Sequence, residues 1–280
     1  MHIWKDISHH EYYTYDKERL LHSPKIPIVV MEDNETVFRA MAEEMAETIK
    51  AKNSRGETTV FICPVGPVGQ YPHFVELVNR ERISLKNVWF INMDEYLSDK
   101  KEWIHKNHPL SFRGFMERTV YSRIHPELLM EEAQRIFPDP ACPERIGKVI
   151  AELGGVDICF GGIGINGHLA FNEAEEAMSS EEFKNLPTRT LRISKETRAT
   201  NAAGDFGGAL EDMPVYCVTI GMREIWQSKR IRLGCFREWH KGVVRRAAYG
   251  QVEAAFPVTL LQEHQDVMIR CTELVAGSLG

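Results

Sequence analysis

The chain has 280 residues, 43% of them hydrophobic and 26% charged, with a formal net charge of −6. That length suits one large α/β domain or two small ones, with a core that needs no disulfide or metal staple. The mild acidity argues against a nucleic-acid partner, because phosphate contacts need clustered Lys and Arg, and the one basic run, Arg237 to Arg246, is local.

Residues 1–25 are polar, aromatic and weakly periodic, and are expected to form an N-terminal extension that packs on the surface or swaps with a partner. Residues 26–280 are expected to form a single α/β domain. "IPIVVM" (26–31) reads as a strand, and Asn34 as the cap of a helix over "ETVFRAMAEEMAETIKAK", whose apolar positions recur at helical spacing. "TTVFICPVG" is a buried strand running into a glycine-rich turn, "YPHFVELVNRER" a helix, and "KNVWFINMDEY" a strand ending in acids. "HPLSFRGFMERTVYSRI" and "CPERIGKVIAELGG" read as helices, the second with Pro143 near its start and glycine after its end. "VDICFGGIG" is the next strand, and "GDFGGALEDMP" (204–214) is the clearest loop. "VYCVTIG", "RIRLGCF" and "DVMIRC" are strands, with a helix over "EWHKGVVRRAAY" between the last two. Strands alternating with helices predict an α/β fold with a largely parallel sheet.

The six cysteines, at 63, 142, 159, 217, 235 and 271, form no CxxC pair and no metal-ligand spacing. A reduced, cytoplasmic setting is expected. No apolar run reaches the ~20 residues of a membrane helix, and no signal-peptide pattern is visible at the N-terminus, so no membrane partner is expected.

In open parallel sheets ligands bind beyond the carboxyl ends of the strands. Three strands here end in chemically loaded segments: "PVGPVGQ" at 64–70, "NMDEY" at 92–96 and "GGIGINGHLAFNE" at 161–173. Asp94 and Glu95 read either as turn-capping acids or, in a partly dry cleft, as a general base with its neighbour. Tyr96 would add apolar cover and a hydroxyl. His168 reads as a satisfied core histidine or as a proton carrier near neutral pH, with Glu173 placed to orient it. Glycines 162, 164 and 167 let backbone approach a ligand closely. "GPVGQ" matches neither a P-loop nor a dinucleotide fingerprint. It is a tight turn or a cradle in which Gly66, Val68 and Gly69 meet the anionic end of a substrate.

"NMDEY" with "GGIGINGHLAFNE" resembles the glucosamine-6-phosphate deaminase/isomerase family, in the superfamily of the 6-phosphogluconolactonases, and the resemblance runs from about Ile26 to Cys271. It implies a Rossmann-like three-layer α/β/α fold and an enzyme that opens an aldose phosphate ring, moves a proton between C1 and C2 through an enol, and releases ammonia from an amino sugar. By motif position Asp94 resembles the enolising base, His168 the ring-opening acid/base, and Glu173 the acid that tunes it. "HPLSF" at 108–112 resembles a segment near the site. No metal or organic cofactor is implied, and the partner is a small sugar or sugar phosphate, in a chain that forms monomers or homo-oligomers.

The departures bear on substrate. Asn166 stands where the family normally has Asp. "VGPVG" at 65–69 replaces a TGGTP-like phosphate loop, removing two hydroxyls and a backbone N–H. "KETRATNAAG" (195–204) keeps Arg198 and Asn201 but has Ala203 at a phosphate-binding arginine position, and His240, with Lys241 beside it, stands for a lysine. Leu191 replaces a basic effector contact. These imply a drifted substrate. Two rivals remain on sequence grounds: a lactone hydrolase with His168 activating water, and a non-catalytic sugar-binding or regulatory protein.

Overall fold

The computed structural model describes residues 10–279. Ten strands follow in chain order: β1 (Ile28–Met31), β2 (Thr59–Cys63), β3 (Val88–Asn92), β4 (Asp94–Leu97), β5 (Arg135–Ile136), β6 (Ile158–Gly161), β7 (Arg189–Arg192), β8 (Tyr216–Thr219), β9 (Arg230–Cys235) and β10 (Val267–Thr272). The main helices are α1 (Lys17–Leu21), α2 (Asn34–Asn53), α3 (Gln70–Arg80), α4 (Phe112–Thr119), α5 (Arg145–Glu152), α6 (Ser180–Lys184), α7 (Lys195–Asp205), α8 (Met222–Trp226), α9 (His240–Tyr249) and α10 (Glu273–Ala276).

Seven strands pair in parallel in the order β1-β10-β9-β6-β2-β3-β5. All five residues of β2 are buried. Their alternation feeds two cores: Val60 and Ile62 join α5, α6, α8 and α9 on one face, while Phe61 and Cys63 join α2, α3 and α4 on the other. A strand covered on both faces must be apolar throughout, and that makes three layers. The order reverses beside β2, since β3 lies on one side of it and β6 on the other. The loops after β2 and β6 diverge there and open the crevice that holds the site.

A second sheet, β4-β8-β7, is antiparallel. "KNVWFINMDEY" is therefore two strands and not one. Met93 is the joint: its N–H donates to Cys63 O in the large sheet and its carbonyl accepts from Ile220 N beside the small one. Thr219 of β8 is paired with Asp94 of β4 and with Arg189 of β7. Strand "VYCVTIG" likewise belongs to this sheet.

The cap of α2 is Asp33, not Asn34. The Asp33 carboxylate accepts from Thr36 N, and Asn34 is already helical. The expected loop at 204–214 begins inside α7, which ends at Asp205. Of the extension, residues 1–9 lie outside the described residues. The rest packs on its own chain: Leu20 is fully buried, Arg245 of α9 donates to Tyr15 O, and the Tyr249 hydroxyl to Leu20 O. All six cysteines are free thiols, and no helix among the described residues is long and apolar enough to cross a membrane.

Candidate active site

A cavity of about 450 Å³ opens at the carboxyl ends of β2, β3, β6 and β9. The turn after β2 brings Gly66, Val68 and Gly69, β4 brings Asp94 and Tyr96, and the loop after β6 brings Gly162, Gly164 and His168. Thr200, Asn201 and Asp205 reach it from α7, Phe236, Arg237 and Trp239 from the loop after β9, and His240 from the start of α9.

Asp94 is 7% exposed, and among the described residues nothing donates to its carboxyl. Burial, reinforced by the neighbouring Glu95 charge, holds its pKa well above the usual carboxylate range. A carboxyl so placed is a stronger base than a solvated one, as proton abstraction from carbon requires. Successive strand residues face opposite ways, so Glu95 turns from the cavity into the protein. It accepts from Ser111 Oγ, Phe112 N, Arg113 N and Tyr96 N, and pairs with Arg113 Nε at 3.2 Å. It anchors the start of α4 and loads its negative charge onto Asp94.

His168 sits in a turn closed by Gly164 N donating to its carbonyl and Gly167 N donating to Gly164 O. Gly167 has φ +79 and lies against the Phe256 ring, and any side chain on Gly164 would strike the imidazole. His168 Nδ1 stands 2.7 Å from Asn166 Oδ1. Asn166 Nδ2 in turn donates to Glu173 Oε2 at 2.7 Å. Glu173 also accepts from Thr197 Oγ1 at 3.0 Å and from Ser194 N at 3.3 Å. The carboxylate needs a donor, so the amide must present Nδ2 to it and Oδ1 to the ring. The imidazole is thereby fixed as the Nδ1–H tautomer, with Nε2, unpartnered among the described residues, left for the cavity. Burial lowers the His168 pKa, against a raising influence from Glu173. The expected direct His168–Glu173 hydrogen bond is absent: the closest approach is 3.6 Å, and the Asn166 amide carries the link.

No family model matches the chain. It is 28% identical over 260 residues to a glucosamine-6-phosphate deaminase of Phocaeicola vulgatus, covering 90% of this chain and 93% of that one. A solved monomeric glucosamine-6-phosphate deaminase superposes with a TM-score of 0.78 at 25% identity, over 91% of this chain and all of the other. In sequence and fold the chain is similar to the glucosamine-6-phosphate deaminases. The 6-phosphogluconolactonase of Trypanosoma brucei shares the fold, with a TM-score of 0.64 at 17% identity, over 91% of this chain and 98% of that one.

The deaminase resemblance is not carried through at every residue. Asp94 and His168 share the cavity, with Asn166 and Glu173 behind the ring. Glu95 is buried beneath it, and Gly167 packs on Phe256 and does not line the wall. Arg198 faces away and donates to Leu210 O and Met213 O, tying down the loop after α7. Lys241 lies off the cavity, 3.7 Å from Glu238 Oε1. His240 reaches the wall with both nitrogens engaged: Nδ1 accepts from Phe236 N and Arg237 N, and Nε2 donates to Ile163 O at 3.0 Å. Burial pulls its pKa down to about 4, so it offers no positive charge. Thr197 was not foreseen. It is fully buried on α7, touching Glu173 and lying 3.3 Å from His168 Nδ1.

Proposed function

We propose that the chain is an aldose–ketose isomerase of the deaminase type, acting on an amino sugar through ring opening and an enol intermediate. The observation that carries this is the convergence of Asp94 and the free His168 Nε2 on one cavity. Neutral His168 takes the proton of the anomeric hydroxyl at Nε2 and returns one to the ring oxygen, giving the open aldehyde. The Asp94 carboxylate then removes the C2 proton, and delivery of a proton to C1 leaves an imine at C2. Water adds there and ammonia departs, giving the ketose. Asn201 Nδ2 donates to the Tyr96 hydroxyl at 3.0 Å, and the two form a neutral polar edge for sugar hydroxyls.

The test is incubation of the full chain with 2-amino aldoses in heavy water, following C2 deuterium, ketose and ammonia. Asp94→Asn should abolish deuterium uptake at C2. Undiminished uptake in that variant removes Asp94 as the base, and lactone hydrolysis without any exchange would replace the reading.

A further inference from the structure

The charge lining the cavity does not suit a phosphate. Among the described residues that line it, Arg237 is the one permanently charged cation, and Asp94 and Asp205 are the acids. Arg237 is already matched: its Nη2 stands 2.8 Å from Asp205 Oδ1. Its guanidinium lies on Gly204, which has no side chain to keep it off, at the C-terminal end of α7, where the helix dipole is negative. His168 and His240 are held neutral by burial. The turn after β2 gives little in return. Pro67 has no N–H, Val65 and Val68 have no hydroxyl, and the Phe38 ring covers Gly69, with Phe236 4.9 Å from it. The wall is neutral to negative and largely aromatic, and a phosphate dianion buried against it would meet no side-chain cation that is not already paired.

We infer that the site takes an unphosphorylated sugar, whose apolar face lies on the Phe38–Phe236 wall and whose hydroxyls meet Asn201 and Tyr96. This rests on the isomerase reading for the chemistry but not for the binding. A cationic amino sugar also fits the acidic balance better than an anionic one.

The experiment uses matched pairs: glucosamine, galactosamine and glucose, each against its 6-phosphate. Binding to the full chain is measured by calorimetry, and C2 deuterium uptake in the same samples. The unphosphorylated member should bind at least as tightly as its phosphate. A phosphate that binds more tightly in any pair overturns the inference, as does failure of every pair to bind. Asp205→Ala releases Arg237 and should shift the preference at least tenfold towards the phosphate, and an unchanged ratio refutes the charge argument. Binding of the free sugar without deuterium uptake would refute the isomerase reading and leave this one standing. Uptake from the phosphates alone would do the reverse.

Discussion

Asn166→Asp changes one atom and tests the relay behind His168. Asn166 Oδ1 is 2.7 Å from His168 Nδ1, and Nδ2 is 2.7 Å from Glu173 Oε2. The variant keeps an acceptor towards the ring but adds a full charge, and sets two carboxylates together where a donor met an acceptor. Unit charges at such a separation interact by about 6 kcal/mol at an effective dielectric of 20. Burial of the imidazolium opposes the attraction and consumes part of it. If half survives, the ring gains about 3 kcal/mol, roughly a hundredfold in proton affinity. Repulsion between the carboxylates is relieved when the trio takes up a proton, which works in the same direction. His168 should titrate about two pH units higher in the variant than in the native chain, where burial holds it below the ordinary histidine value. The assay is NMR titration of labelled histidine, with His168→Gln identifying the resonance. An unchanged His168 titration in Asn166→Asp would show that the amide does not govern Nδ1, and the tautomer argument would fall.

Two further outcomes follow from the same region. The folded chain holds His240 at about 4 against 6.5 for the free side chain, so the unfolded state takes up the proton first as pH falls. The neutral ring's contribution is therefore complete above pH 6.5 and shrinks towards pH 4, by about 3 kcal/mol. Denaturant unfolding of His240→Gln should show a deficit that narrows by about that much between pH 7 and pH 4, and a constant deficit would contradict a buried neutral imidazole. Gly164→Ala pushes a methyl into the His168 ring. Turnover should fall about a hundredfold or more through misplacement of Nε2, and near-native turnover would mean that the ring position does not matter.

Much of this was legible because β2 and β6 are buried on both faces and appear as nearly unbroken apolar runs. The loaded loops at their ends named the cavity. The break at Met93 was hidden because apolar residues continue through it while the hydrogen-bonding partners change. Strand alternation sends Asp94 and Glu95 to opposite sides, so only one of an adjacent pair could face the ligand. On α7, Thr197, Thr200, Asn201 and Gly204 share the inner face by helical spacing, which turns Arg198 outward. Motif position alone does not carry that information. The role of Asn166 needed coordinates, since an amide between an imidazole and a carboxylate cannot be told from a turn residue by spacing.

Thr219 links two supports. It is paired with Asp94, and its hydroxyl accepts from Phe171 N, three residues after His168. Asp94 and the His168 imidazole thus ride on one chassis, while the aromatic wall hangs from α2 and the loop after β9. Phe38 and Phe236 can be exchanged without moving Asp94 or His168, so under the proposed mechanism a lineage can change what the cavity accepts and keep its two proton-carrying groups in place.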